Sequence, residues 1–463
     1  MTADADRHRP SVSSTEGAPV VRVGLMVPCY IDMFYPQVGV ATLELLEKLG
    51  VEVDYPFDQT CCGQPMANSG AFTQAKATEE LLVRNFADYE YIVAPSGSCV
   101  HHIRNKFTAA KDSPGRRHVS SQVRDLPEFL CDVLRVQEFP WAEFPHEVAL
   151  HVSCSAIRGL CEQSMSERPN DPWFSKPRSL LEKVKGISIA DFDRPDECCG
   201  FGGTFAVTEE AVSAAIGNDK LDRIAATGAR YAVFIRLLTR SATGERITQY
   251  TSHFAGPRDG AEMHVVLVDN GRTQRLADER FWRSLKCIRC AACMNTCPVY
   301  RRSGGLSYGS TYMGPIGIIM MPTFDIQRHS ELPFASTING SCTNVCPVQI
   351  NIHEQIYQWR EEMNAKGEFS TTKKAAMKVA DKVLSHPEAY RMATEAGKAA
   401  LDVLPHFAIY NRLNAWGRHR DLPSPGAETF HQWYSRNRGS THPRDALPRE
   451  TTTSTHGADD GHT

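Results

Sequence analysis

Residues Cys287 to Pro298 read C-I-R-C-A-A-C-M-N-T-C-P, and no other stretch restricts the chain so tightly. The cysteines are separated by two, two and three residues, with proline directly after the last. At this spacing three thiolates can hold three irons of one cubane, while the fourth reaches across to a second cluster. A structural zinc site draws its four ligands from two separated pairs instead. The segment therefore reads as an iron–sulfur electron carrier.

A second, reduced motif follows, Cys342-Thr343-Asn344-Val345-Cys346-Pro347. Both motifs end in Cys-Pro. Proline fixes its own φ and cannot continue a helix, so each final cysteine leaves the preceding turn in a set direction. Crosswise ligation then completes one [4Fe-4S] cubane from Cys287, Cys290, Cys293 and Cys346. Cys297 and Cys342 remain for another cluster, and two thiolates are too few. Asn339 stands three residues before Cys342, where a thiol is expected. Its neutral amide lacks the soft anionic sulfur that iron–sulfur chemistry favours.

The N-terminal part carries a second cysteine system laid out twice. Val20 to Cys29 is an apolar, β-branched run ending in cysteine, and Glu147 to Cys154 repeats that form. Such runs suit buried parallel strands. Helical spacing from Val38 to Leu49 follows the first strand, with Gly50 as its stop. Each half then reaches a CCG triplet, Cys61-Cys62-Gly63 and Cys198-Cys199-Gly200, and continues to a further strand at 91–94 or 231–234. Alternating strands and helices imply an α/β domain with a largely parallel sheet. The halves differ at their ends: Cys99 closes the first, whereas Thr239 occupies the matching place in the second.

Cys29, Cys61, Cys62 and Cys99, with Cys154, Cys198 and Cys199 from the second half, form a candidate metal-ligand set. Adjacent cysteines do not readily bridge to each other but can face one centre. The following glycines let backbone approach a bulky cluster. Loops after parallel strands are where α/β sheets place ligands. An iron–sulfur or a zinc centre would satisfy this set. The isolated Cys131 and Cys161 read as buried, inert thiols. His101 and His102 read as a solvated or packed pair, and His151 as a structural strand residue. Gly304 to Gly309 lacks the spacing of a phosphate loop and reads as a tight turn near the cluster.

Length and composition set the frame. A chain of 463 residues implies two or three domains. Its formal charge of −3 argues against a nucleic-acid surface or an anionic-membrane anchor. The apolar stretch at 315–321 is too short for a membrane span, and residues 1–19 carry no apolar signal core. Fifteen cysteines at CxxC and CC spacing without export point to a reducing, cytoplasmic setting. The connector at 240–285 includes a strand at 263–268. Ala376, Val379, Ala380, Val383 and Leu384 mark an amphipathic helix interrupted at His386-Pro387, and residues 441–463 read as disordered.

These motifs carry a family resemblance. Residues 20–235 resemble the cysteine-rich CCG-domain protein of bacterial lactate-utilisation operons, of LutA type. The match lies in Cys61-Cys62-Gly63-Gln64-Pro65, Pro95-Ser96-Gly97-Ser98-Cys99 and Cys198-Cys199-Gly200-Phe201-Gly202-Gly203-Thr204-Phe205. CCG domains occur also in heterodisulfide reductase and in the glycolate oxidase iron–sulfur subunit. From residue 237 to about 440 the chain resembles the C-terminal part of a LutB-type protein. Leu237 to Gly244, Val268 to Arg272, Cys287 to Arg302, Tyr308-Gly309-Ser310, Gly314 to Gly317 and Leu332 to Ser336 carry that likeness.

The resemblance implies an α/β CCG domain of two pseudo-repeats at 20–235, the second truncated. It implies a connector at 236–280, a mainly α-helical ferredoxin-type [4Fe-4S] domain at 281–360 and a helical region at 361–440. It further implies an iron–sulfur electron-transfer subunit of a multi-subunit system oxidising L-lactate to pyruvate, with donor and acceptor proteins as partners. Asn339 occupies a position where the family has cysteine. The chain reads as an in-frame joining of two neighbouring proteins. Alternatives are a glycolate-oxidase-like or heterodisulfide-reductase-like subunit, or a fusion without catalytic turnover.

Overall fold

The computed structural model describes residues 21–168, 170–200, 205, 209–225, 269, 271–403 and 425–439. The expected strands at 231–234 and 263–268, most of the 236–280 connector and the 441–463 tail lie outside the described residues.

The N-terminal sheet is built from β1 (Arg22–Leu25), β2 (Glu52–Asp54), β3 (Tyr91–Ala94) and β4 (Val123–Asp125), in the order β2-β1-β3-β4. All three pairings are parallel, with Val23 opposite Val53, Gly24 opposite Ile92 and Val93 opposite Arg124. Val23, Leu25, Ile92, Val93 and Ala94 are fully buried, as a parallel sheet covered on both faces requires. The helix Pro36–Lys48 covers it with Gly39, Thr42, Leu43 and Leu46, spaced one helical turn apart. Proline opens that helix, where its missing N–H costs nothing.

A second, smaller sheet is a single parallel pair. β5 (Glu147–Ala149) pairs with β6 (Ser188–Ala190), Val148 opposite Ile189. Cysteines follow the matching strands in both units: Cys29 after β1 and Cys154 after β5, Cys61-Cys62 after β2 and Cys198-Cys199 after β6. The strands are shorter than the apolar runs suggested. His151 lies beyond the end of β5 and is exposed, so the reading of it as a structural strand residue is corrected.

The rest of the described chain is helical. Gly314–Phe324 is buried on nearly every side, and this is the apolar stretch seen in the sequence. It packs on Ile352–Ala365, whose Trp359 indole N–H donates to the Ile319 carbonyl at 3.0 Å. No helix among the described residues is long and apolar enough to cross a membrane.

The N- and C-terminal parts share one core. Met66, Ala67, Ala71 and Ala75 pack with Ile319, Ile356 and Trp359. The buried Arg360 donates to the carbonyls of Asn68 at 2.9 Å, Pro333 at 2.8 Å and Ser336 at 2.9 Å. Thr371–Leu384 and Pro387–Val403 are separate helices, as the His386-Pro387 break required. The first packs through Met377, Ala380 and Leu384, while Ala376 is exposed and Val379 is 63% exposed. The apolar spacing located the helix, and of its members Ala380 and Leu384 pack inward while Ala376 and Val379 face solvent. Phe430–Arg438 returns to the first sheet, where Phe430 is fully buried beside Leu43 and Tyr55.

Candidate iron–sulfur sites

Cys287, Cys290, Cys293 and Cys346 line one cavity of about 590 Å³. Backbone conformation brings them there. Arg289 and Ala291, on either side of Cys290, have φ of 59°, and Gln349 beyond Cys346 has φ of 54°. Non-glycine residues adopt this left-handed region only where their surroundings impose it. The turns also aim N–H groups at sulfur. Arg289 N donates to Cys287 Sγ and Ile350 N to Cys346 Sγ, both at 3.4 Å. Burial pushes the Cys293 thiol up to about 12. A bound metal centre would offset the cost of removing that proton. Four soft anionic donors around one space fit a [4Fe-4S] core.

Cys297 and Cys342 sit beside this site, both buried. Cys297 ends the turn Ala292–Thr296 and caps Pro298–Ser303, its sulfur accepting from Tyr300 N at 3.4 Å. Pro298 thus opens a new helix rather than merely stopping the old one. Cys342 lies in Ser341–Asn344, close enough to Cys297 and Cys293 for their charges to add to the burial that pushes its thiol up. Asn339 takes a local role: its Oδ1 accepts from Ser341 N at 3.1 Å.

The first half of the CCG region gathers a thiol quartet. Cys61, Cys62 and Cys99 are buried in one apolar cluster with Cys29 packed against it, and Cys29 Sγ lies 3.6 Å from Cys61 Sγ. Hydrogen bonds from Cys29 and then Cys62 hold Cys61 well below the usual thiol range. The bond to Cys61 in turn pushes both donors up. Gly63, at φ of 83°, lets the chain turn directly after the pair; a Cβ there would lie 2.9 Å from Glu79 Cγ. Cys99 enters from the first turn of Gly97–Asn105.

In the second half Cys154 and Cys198 form a similar pair. The Cys154 hydrogen bond lowers Cys198 and raises its donor, and Gly200 N donates to Cys198 Sγ at 3.3 Å. Cys199 is half-buried. Among the described residues no three His, Cys, Asp or Glu side chains converge tightly enough to hold one metal ion.

Family comparisons agree with this geometry. Residues 23–104 and 148–235 match the cysteine-rich CCG domain model. Residues 283–350 match the 4Fe-4S dicluster domain, and 354–439 the C-terminal domain of lactate utilisation protein B. The chain is 38% identical over 372 residues to Lactate utilization protein B of Lysinibacillus sphaericus, covering 72% of this chain and 78% of that protein. It belongs to the lactate utilization protein B family.

Two further relatives of that name match less of their length. The one from Oceanobacillus iheyensis is 39% identical over 227 residues, 46% of this chain and 47% of that protein. The one from Bacillus subtilis is 36% identical over 321 residues, 62% of this chain and 65% of that protein. The chain therefore spans about half the length of the Oceanobacillus relative. The CCG and dicluster matches make this member of the lactate utilization protein B family an iron–sulfur cluster-binding protein.

Within this family member, the remaining sequence readings divide. Gly304 to Gly309 is a tight turn, with Leu306 97% exposed and the Tyr308 hydroxyl facing Cys297. His102 is buried, its Nε2 3.3 Å from Glu79 Oε1 but not aligned for a hydrogen bond. His101 is half-buried, with Asn105 Nδ2 2.9 Å from its Nδ1. Cys161 is exposed and Cys131 half-buried, so the reading of both as buried thiols is corrected. Sequence reasoning missed Arg272, Arg275 and Arg289, which line the 590 Å³ cavity. Each follows an ordinary polar pattern, and only the fold brings their charge to the thiolates.

Proposed function

We propose that the chain is the iron–sulfur electron-transfer subunit of a system that oxidises L-lactate to pyruvate. The observation that carries this reading is the single cavity shared by Cys287, Cys290, Cys293 and Cys346. The named family supplies the substrate class. Lactate oxidation releases two electrons and two protons, whereas a bound [4Fe-4S] cluster exchanges one electron at a time. A relay of several centres, or a partner's cofactor, therefore divides the pair.

The chain's own residues fit such a relay. Cys287, Cys290, Cys293 and Cys346 would hold the cubane, and the two N–H donors to sulfur would offset thiolate charge. Arg272, Arg275 and Arg289 add positive charge around them. Cys290 is exposed and neighbouring Ile288 is 61% exposed, giving a partner protein close access to this site. Cys29, Cys61, Cys62 and Cys99 would hold a centre nearer the donor. Met66, four residues after Cys62, packs in the same core as Cys293. The partners in this reading are the other subunits of a lactate-utilisation complex, in the reducing cytoplasm.

Substrate-dependent bleaching tests the proposal. Lactate, added anaerobically with the partner subunits, is expected to lower the visible iron–sulfur absorbance. Glycolate and a dithiol are expected to leave it unchanged. Bleaching by glycolate or dithiol alone would reassign the substrate. Cluster-loaded protein inert to all three, together with unimpaired growth on lactate after deletion of the gene, would mark a non-catalytic fusion.

A further inference from the structure

The cavity around Cys287, Cys290, Cys293 and Cys346 is larger than the cluster assigned to it. An eight-atom core, at roughly 30 Å³ per atom as for water in the liquid, fills less than half of its 590 Å³. The cavity also runs well past the thiols. The Ile316 backbone N–H is a hydrogen-bond partner of Cys293 at its near end. Met320, Thr323 and Phe324 line the same space from one face of the same helix, Gly314–Phe324. At the rise of an α-helix, Phe324 lies about 12 Å beyond Ile316 along the axis.

Arg275 stands at that far end. It lines the cavity, its guanidinium donates to the Thr323 hydroxyl, and the residue is only 7% exposed. Its Nε has no hydrogen-bond partner. Among the described residues no carboxylate lies within ion-pair distance of it. Asp278, whose charge reaches it, lies 3.9 Å from Arg280 instead. The Phe281 and Trp359 rings, with centroids 5.1 and 5.4 Å away, hold the guanidinium in place. Arg272, one turn earlier, lines the cavity too and adds positive charge. A buried, pre-positioned guanidinium with an unpaired N–H and no counter-ion calls for an anion.

The lining selects among anions. An arginine fork matches the planar, two-oxygen edge of a carboxylate. Met320 and Phe324 put apolar surface beside it, which suits a short carbon chain and not an all-polar phosphate. At the same share per atom, the space left beside a cluster holds about ten non-hydrogen atoms. Phe324 is 48% exposed, so this end opens to solvent.

We propose that the far end of this cavity, anchored by the Arg275 guanidinium, binds the carboxylate of a small monocarboxylic acid beside the cubane. Lactate and pyruvate belong to that class. The site deepens the lactate reading and rests on it for the choice of probe.

The test is equilibrium dialysis of radiolabelled pyruvate and L-lactate against full-length protein, prepared without oxygen and reconstituted with ferrous iron and sulfide. Saturable binding is expected, with a change in the cubane EPR signal after dithionite reduction, and inorganic phosphate is expected not to displace the acid. Arg275→Gln should weaken binding at least about tenfold with iron and sulfide unchanged. Met320→Trp, which keeps Arg275 and fills the space beside it, should do the same and decides the matter if Arg275→Gln loses its cluster. No saturable binding to cluster-loaded wild type, undiminished binding in either loaded variant, or displacement by phosphate would each overturn the carboxylate site. Those outcomes leave the electron relay standing. Acid binding without lactate-dependent bleaching in the presence of the partner subunits would keep the site and remove the lactate assignment.

Discussion

The Tyr390 hydroxyl donates to Asp32 Oδ2 at 2.9 Å, across 358 positions of chain. Asp32 lies three residues after Cys29, and Tyr390 belongs to the helix that opens at Pro387. His431 completes the knot, its backbone N and its Nδ1 each 3.0 Å from Asp32 Oδ1. The C-terminal helices therefore clamp the first cysteine-bearing turn through one buried carboxylate. Burial alone would raise that carboxyl, but the His431 and Tyr390 contacts hold it below its ordinary value.

Asp32→Ala is expected to strand the buried His431 backbone N–H and to take the shortest partner from the Tyr390 hydroxyl. Each unsatisfied group costs about 1–3 kcal/mol. The melting temperature of anaerobic protein should fall measurably at pH 7, with Asp32→Asn less affected. Because the folded carboxyl lies low, its stabilising contribution is present above the unfolded pKa and fades as pH falls through the folded one. The gap between wild type and Asp32→Asn should narrow on acidification, and a gap that widens would contradict the assignment.

A buried acid pair behaves oppositely. Burial pushes Asp125 up to about 7, with repulsion from Glu128 adding to it, and Glu162 up to about 8, with repulsion from Asp125 and Glu128 adding to it. Neither Glu162 carboxyl oxygen has a hydrogen-bond partner. Folded-state values above the unfolded ones mean that stability is fully present in acid and is lost as pH rises through about 7 to 8. Thermal unfolding between pH 5.5 and 9 should show this loss, on the order of a few kcal/mol. Glu162→Gln should flatten it; an unchanged slope would place the titration elsewhere.

Gly70 and Gly50 offer a matched comparison. Both have φ of 81°, but a Cβ on Gly70 would lie 2.2 Å from the Arg360 carbonyl oxygen, while nothing lies within 4 Å of one on Gly50. Gly50→Ala should cost about 1–2 kcal/mol, from the left-handed backbone alone. Gly70→Ala should cost about 1–3 kcal/mol more, because the CCG turn must move off the buried helix. Equal losses in denaturant titrations would mean that the two parts do not pack through this contact.

Arg289 stacks over Tyr312 at 5.4 Å and donates to its hydroxyl at 3.2 Å, beside the cubane thiols. Removing this charge disfavours the added electron. Arg289→Gln should retain its iron and show a reduction potential more negative by tens of millivolts in an EPR-monitored titration. A potential that moves upward would rule out electrostatic tuning by this residue.

Local pattern carried much of this structure. The apolar run around Val23 and the spacing from Val38 onward located β1 and its covering helix because burial on both sheet faces and on one helix face leaves a periodic trace. Short turns fix the mutual reach of Cys287, Cys290 and Cys293, and Cys346 joins their cavity from the second motif. Long-range pairings left no such trace. The clamp of Asp32 by Tyr390 and His431 and the arginines around the cavity depend on how separate elements dock. Val379 shows the limit within a single helix: an apolar residue can match the period and still face solvent.

Iron and acid-labile sulfide counts, with EPR, on anaerobically purified wild type and Cys293→Ala/Cys346→Ala address the central claim most directly. Wild-type protein should be brown and carry iron and sulfide in equal number. The double variant should lose about four of each together with the cubane signal. Colourless protein, protein carrying zinc alone, or a double variant with undiminished iron would contradict the assignment of these four cysteines to a redox centre.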